Sequence, residues 1–154
     1  MTEFALNTIP FETVYLHGLV RDAQGRKMSK SLGNNLDPSD IMAKFGADAT
    51  RMALVVGNTP GTDMRINEDK VRGYKHFANK LWNIARFVLI NTENIKLSPK
   101  PTLTSSDQKL IDGINQLITD VTQDIEEYRV YMAAGKLYHY VWHTFADKII
   151  EESK

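Results

Sequence analysis

From Asn67 to Ile150 apolar residues recur at every third or fourth position in three separate runs, and that period leaves few architectures open. In the first run Val71, Tyr74, Phe77 or Ala78, Leu81, Ala85 and Val88 form one stripe, with Asn67 as N-cap and an end near Asn91. Its polar side carries Lys70, Arg72, Lys75, Lys80 and Arg86. A linker with Pro99 and Pro101 follows, and Thr104-Ser105-Ser106-Asp107 has the form of a capping box. It opens a second helix with Leu110, Ile111, Ile114, Leu117, Ile118, Val121 and Ile125 on one side. Tyr131 to Ile150 repeats the pattern with Ala134, Leu137, Tyr138, Val141, Trp142, Phe145 and Ile149. Three amphipathic helices with short connections predict a mainly α chain with an antiparallel bundle, whose core takes Trp82 and Trp142.

The residues before Asn67 follow another logic. Met1 to Pro10 show no clear period and read as a tail or linker. Thr13 to Val20, rich in β-branched and aromatic residues, predicts a buried strand ending at the turn Arg21-Asp22-Ala23-Gln24-Gly25. Asp37-Pro38-Ser39-Asp40 supplies an N-cap, a first-turn proline and an acid for a short helix that Gly46 ends. A second helix covers Ala47 to Val56, and Gly57-Asn58-Thr59-Pro60-Gly61-Thr62-Asp63 is turn chemistry that marks a boundary.

Between strand and helix lies Gly25-Arg26-Lys27-Met28-Ser29-Lys30-Ser31-Leu32-Gly33-Asn34, with three cations, two hydroxyls and two glycines in ten residues. Cations spaced along a glycine-flanked loop suit a polyphosphate, because each ammonium can meet a different phosphoryl oxygen. A solvated basic turn has the same composition, so both readings stand at this point. The loop lacks the glycine spacing of a Walker A motif and of a dinucleotide fingerprint.

Other chemistry is excluded or weak. There is no cysteine, hence no disulfide or thiolate site. Nineteen basic residues balance nineteen acidic ones, so an anionic partner must be met by a local patch rather than a global field. His17 in its apolar run reads as an interior histidine, and His139 and His143, four apart, lack the further ligands zinc requires. No metal site is expected, nor any acid–base carboxylate pair. The basic side of the first long helix is a candidate RNA-tracking face, with Tyr74, Phe77 and Trp82 as possible stacking groups, although these aromatics fall mostly at core spacing. No run is long and apolar enough for a membrane span or a signal peptide, which predicts a cytoplasmic chain.

Lys27-Met28-Ser29-Lys30-Ser31, followed by Leu32-Gly33-Asn34, resembles the KMSKS signature of class I aminoacyl-tRNA synthetases. Phe45-Gly46-Ala47-Asp48-Ala49-Thr50-Arg51 is similar to the run that follows this loop in the branched-chain subgroup. Three stretches resemble the valyl branch more than the isoleucyl or leucyl branches: Val14 to Asp22, Asn58 to Asp63, and Phe77 to Phe87. The resemblance covers nearly the whole chain. The second family signature, HIGH, is not matched anywhere, and His17-Gly18 is not that motif.

The resemblance implies an excised segment. Residues 1–63 would be the end of a Rossmann-like catalytic domain, a strand-loop-helix remnant with the KMSKS loop and stem-contact region. Residues 64–154 would be a helical anticodon-binding domain, incomplete here. The parent would activate valine with ATP and Mg2+ and transfer it to tRNA(Val). Lys27 and Lys30 would be catalytic, contacting the β and γ phosphates, with Lys30 the more important. Met28, Ser29 and Ser31 would complete the ATP-binding loop, and Lys70, Arg72, Lys75, Lys80 and Arg86 would form a tRNA-facing patch. The piece alone would be inert, need no cofactor and require the rest of its synthetase as partner. The alternative is an autonomous helical module that binds tRNA or RNA without catalysis; an isoleucyl-type parent is opposed by Asn58 to Asp63.

Overall fold

The computed structural model describes residues 2–96 and 100–153. Its elements are α1 (Thr2–Leu6), β1 (Val20–Arg21), a 3-10 turn (Lys30–Leu32), α2 (Pro38–Phe45), α3 (Ala47–Val55), β2 (Met64–Arg65), α4 (Glu68–Thr92), α5 (Ser105–Glu126) and α6 (Val130–His139). The last helix widens into π-helical turns over Tyr140–Ile150. The chain is thus mainly helical.

The helix starts follow local chemistry. The Asp37 side chain accepts from the Ser39 amide at 2.8 Å, and Asn67 accepts from the Lys70 amide at 2.8 Å. At α5 the Thr104 hydroxyl accepts from the Asp107 amide at 3.2 Å while Asp107 accepts from the Thr104 amide at 2.8 Å, a reciprocal box. Pro99 of the linker lies outside the described residues.

Two apolar clusters hold the fold. Ile41 and Phe45 of α2, Ala49 and Ala53 of α3, Ile66 after β2 and Val71 of α4 form the first, which joins the loop-bearing segment to the long helix. Ile84 of α4 packs with Ala146 and Ile150 in the second. Between them Phe77, Tyr138 and Trp142 stack, with Phe77 and Tyr138 centroids 4.8 Å apart and Tyr138 and Trp142 5.9 Å apart. Lys136 and Arg129 both reach the fully buried Asp124 carboxylate, at 2.6 and 2.9 Å, and tie α5 to α6.

The buried strand expected over Thr13 to Val20 is corrected. Only Val20–Arg21 is β, paired in parallel with Met64–Arg65, and Val14 and Leu16 are 72% and 71% exposed. Burial of a strand needs neighbours on both edges and both faces; among the described residues the sheet has two strands. Trp82 is also corrected. It is 73% exposed, because at about 3.6 residues per turn it lies on the arc of Lys75 and Arg86, away from Phe77 and Ile84, which carry the core contacts of this half of the helix. Trp142 is half-buried in the aromatic stack. The apolar side of α5 is only partly covered: Ile118 and Ile125 are more than half exposed, and Ile118 lines a groove with Leu81, Leu137 and Phe145. Residues 2–6, read as tail or linker, form the short exposed helix α1.

Candidate functional site

The lysine loop begins where β1 turns. The Asp22 amide donates to the Arg26 carbonyl at 3.0 Å and the Gly25 amide to the Asp22 carbonyl at 2.9 Å, while Arg21 and Lys27 form an antiparallel bridge. Gly25 sits at φ 82°, a left-handed conformation that glycine adopts without steric cost. The turn therefore delivers Lys27 at the start of the loop proper.

β1 is itself fixed from the Asn58–Asp63 turn. Asp63 accepts from the Leu19 amide at 2.8 Å and from Arg21 Nε at 2.5 Å, and these partners hold its carboxyl below the usual carboxylate range. Gly18 passes so close to this turn that a Cβ would lie 1.9 Å from the Thr62 carbonyl oxygen. His17 does not lie in the interior as read from the sequence: it is exposed, with Nδ1 2.7 Å from the Gly18 carbonyl.

The base of the loop is held by two side chains at its ends. Asp22, 6% exposed, accepts from the Arg26 amide at 2.8 Å, from Arg26 Nε at 2.8 Å and from Asn34 Nδ2 at 2.8 Å. The Asn34 bond is the largest cause holding its carboxyl at about 2; burial opposes it, and the Arg26 amide and guanidinium add to it. Asn34 Nδ2 also donates to the Lys27 carbonyl at 3.2 Å, and Asn34 Oδ1 accepts from the Ser29 amide at 2.9 Å. One amide thus joins the turn, Lys27 and Ser29.

Beyond this base the loop turns once. Ser29 Oγ and Ser31 Oγ are 2.7 Å apart, Lys30–Leu32 form the 3-10 turn, and Gly33 at φ 62° ends it with its amide on the Lys30 carbonyl at 3.2 Å. Met28 packs half-buried against the first core cluster. Lys27 and Lys30 are exposed, and among the described residues neither side chain has a hydrogen bond or an ion pair. Two free ammonium groups on a braced backbone can meet two oxygens of one anion.

The cations of α4 are placed differently. Lys70 donates to the Val56 carbonyl at 3.4 Å, and burial pulls its pKa down. Arg72 pairs with Asp69 at 2.6 Å, Lys75 donates to the Lys44 carbonyl at 3.2 Å, and both lie about 6 Å from the Phe45 ring. Lys80 pairs with Asp147 at 2.7 Å and lies 4.8 Å from the Trp142 ring. Arg72, Lys75 and Arg86 share one arc of the helix, whereas Lys70 and Lys80 point to other sides. The five do not make one patch. His139 and His143 are exposed with rings 4.7 Å apart, and among the described residues no three His, Cys, Asp or Glu groups could hold a metal.

Sequence reasoning assigned Asn34 only to the end of the loop and left Asp22 without a role. Their sequence signal is an Asp and an Asn bracketing a glycine-rich polar loop, residue types whose short side chains bond nearby backbone.

Comparison with known proteins gives the family. Residues 1–67 match the family model for tRNA synthetases class I (I, L, M and V), and residues 107–154 match the anticodon-binding domain of tRNA ligase. The chain is 44% identical over 151 residues to valine–tRNA ligase of Clostridium acetobutylicum and 45% identical over 151 residues to that of Carboxydothermus hydrogenoformans. These alignments take in 96% and 97% of the chain but 17% of each relative, so the chain spans about a sixth of the length of the curated relatives it matches. Among solved structures it resembles the ternary complex of Agrobacterium radiobacter K84 LeuRS with tRNA and LeuAMS, with a TM-score of 0.73 and 26% identity over 89% of this chain and 19% of that one. The chain belongs to the class I aminoacyl-tRNA synthetases and is homologous to a segment of valine–tRNA ligase, with a class I synthetase part followed by an anticodon-binding part.

Proposed function

We propose that this chain is the pyrophosphate-side loop and tRNA-facing helical part of a cytoplasmic valine–tRNA ligase, which joins valine to ATP and passes the valyl group to tRNA(Val). In the first step the valine carboxylate attacks the α-phosphorus, and negative charge gathers on the equatorial oxygens and on the departing pyrophosphate. Lys27 and Lys30 act as the catalytic cations, meeting the β and γ phosphates as that charge develops; Lys30 carries the larger share. Interactions that strengthen only in the transition state raise the rate without tightening substrate binding. Ser29 and Ser31 shape the loop and donate hydrogen bonds to ATP, and Met28 anchors the loop on the core. In the full-length protein Mg2+ would accompany ATP as its counter-ion.

The observation that carries this reading is the pair of ammonium groups, without partners among the described residues, on a loop whose backbone is fixed at both ends. The homology to valine–tRNA ligases supports the choice of amino acid and of tRNA. Residues 1–63 supply the loop and stem-contact region, and residues 64–154 the anticodon-binding helices, where Arg72, Lys75 and Arg86 form the exposed cationic arc and Lys70 and Lys80 flank it.

The test is amino-acid-dependent exchange of pyrophosphate into ATP by the full-length protein that carries this segment. Valine should drive exchange at least about a hundredfold better in kcat/KM than leucine, given the discrimination available to an apolar pocket. Preference for leucine or isoleucine would overturn the substrate assignment, and exchange by the isolated 154-residue chain would overturn its role as one part of a larger site.

A further inference from the structure

We infer that Asn34 is a positioning residue for adenylate formation: with Asp22 it forms a clasp that fixes the base of the lysine loop, so that Lys27 and Lys30 are aimed as one unit. The inference rests on the proposed function for its readout and on geometry for its content.

Three bonds meet in the Asn34 side chain. Nδ2 donates to Asp22 Oδ2 at 2.8 Å and to the Lys27 carbonyl at 3.2 Å, and Oδ1 accepts from the Ser29 amide at 2.9 Å. Each end of the amide is used in its correct sense, donor to carboxylate and acceptor from N–H, so that neither a carboxylate nor a methyl can replace it. Asp22 is in turn fixed by two groups of Arg26 and is 6% exposed, which leaves it no alternative hydration to exchange for the Asn34 bond. The groups around the clasp are Asp22, Arg26 and, across the adjoining depression, Glu68, whose carboxylate is engaged by Lys44. Without the clasp the segment from Lys27 to Gly33 keeps, among the described residues, the Arg21–Lys27 bridge at its start, the contact of Met28 with the core, the Ser29–Ser31 hydroxyl contact and the single 3-10 turn.

The consequence is kinetic. A lysine that must reach a developing charge loses effectiveness when its backbone wanders, because small misplacements of a reacting group lower rates steeply. Substrate binding, which depends little on loop closure, should change far less.

The experiment compares Asn34→Ala, Asn34→Asp and the exchanged pair Asp22→Asn with Asn34→Asp in the full-length protein. The exchanged pair restores a donor facing an acceptor between positions 22 and 34 and keeps an acceptor for the Ser29 amide, while giving up the bonds to Arg26 Nε and the Lys27 carbonyl. Two readouts are taken: valine-dependent pyrophosphate exchange, and trypsin cleavage after Lys27 and Lys30. Expected for Asn34→Ala is a fall of about tenfold in kcat with KM for valine within about twofold, and cleavage at the loop at least about fivefold faster while other sites are unchanged. Asn34→Asp should match or exceed this loss, and the exchanged pair, which regains the bond between positions 22 and 34 but not those to the Lys27 carbonyl and Arg26 Nε, should recover part of it on both readouts. Wild-type kcat and loop cleavage in Asn34→Ala would overturn the inference, as would an exchanged pair no better than Asn34→Asp. Should the wild type itself show no exchange, the proposed function fails and the cleavage pattern alone decides the clasp.

Discussion

The loop and helix α4 carry similar cations and use them in opposite ways. Lys27 and Lys30 stand on a backbone that side chains hold from behind, and among the described residues their ammonium groups meet no partner. On α4, Lys70, Arg72, Lys75 and Lys80 each meet a carboxylate, carbonyl or ring within the chain, and only Arg86 has no such partner among the described residues. A cation already paired gives up that contact to bind an external anion, whereas a free one gives up only hydration. The difference marks the loop as the place where charge is available for chemistry. The α4 cations in large part serve the fold.

The largest effect that would break this comparison is kinetic. Lys30→Ala in the full-length protein should lower the kcat of valine-dependent pyrophosphate exchange by about a hundredfold to a thousandfold with little change in the KM for valine. Lys75→Ala should leave exchange within about twofold, and any loss it causes should appear in the KM for tRNA. Equal losses in the two variants would mean that free and paired cations cannot be sorted in this way.

A smaller effect sharpens the helix side. Lys80 is paired with Asp147 and lies against the Trp142 ring, so Lys80→Ala should cost about 1 kcal/mol in urea unfolding followed by tryptophan fluorescence. Arg86→Ala, with no internal contact among the described residues, should cost less than about 0.5 kcal/mol. If Arg86→Ala is the more destabilising, the helix cations have been assigned the wrong way round.

What the sequence disclosed follows the range of the interaction involved. Asp37, Asn67 and Thr104 were readable as caps because each bonds an amide two or three residues away. The loop was readable because its charges and glycines are contiguous. The run from Thr13 to Val20 misled because its composition predicts burial, whereas burial depends on neighbours; one short parallel pairing leaves Val14 and Leu16 open. Trp82 misled for the converse reason: large and apolar, it was assigned inward, although its position on the helix turns it beside Lys75 and Arg86. The clasp was hidden because Asp22 and Asn34 are twelve residues apart and meet only after the loop has folded. The paired state of the α4 cations was hidden likewise, since Lys80 meets Asp147 across 67 residues.

Acid titration gives the finest division between the two regions. Asp22 has an ordinary value of 3.8 and is held at about 2 in the folded chain, chiefly by Asn34. Its folded pKa is depressed, so its contribution is complete above 3.8 and is lost as pH falls through about 2. Lys70 has the opposite placement: burial lowers its pKa from 10.5, the unfolded chain binds the proton more readily, and stability gained at this site rises with pH as 10.5 is approached. Protonation of Asp22 at low pH should therefore loosen the loop, whereas Lys70 on α4 responds only at the alkaline end. Asp63, Asp107 and Asp124 are also held low, so a global melt would mix several carboxylates. The Ser29 amide, bonded to Asn34, reports the clasp alone. Its protection against hydrogen exchange, corrected for the intrinsic pH dependence, should fall between pH 3.8 and about 2, and in Asp22→Asn it should be low throughout with no step. A step that persists in Asp22→Asn would place the titrating group elsewhere and detach the loop's rigidity from the clasp.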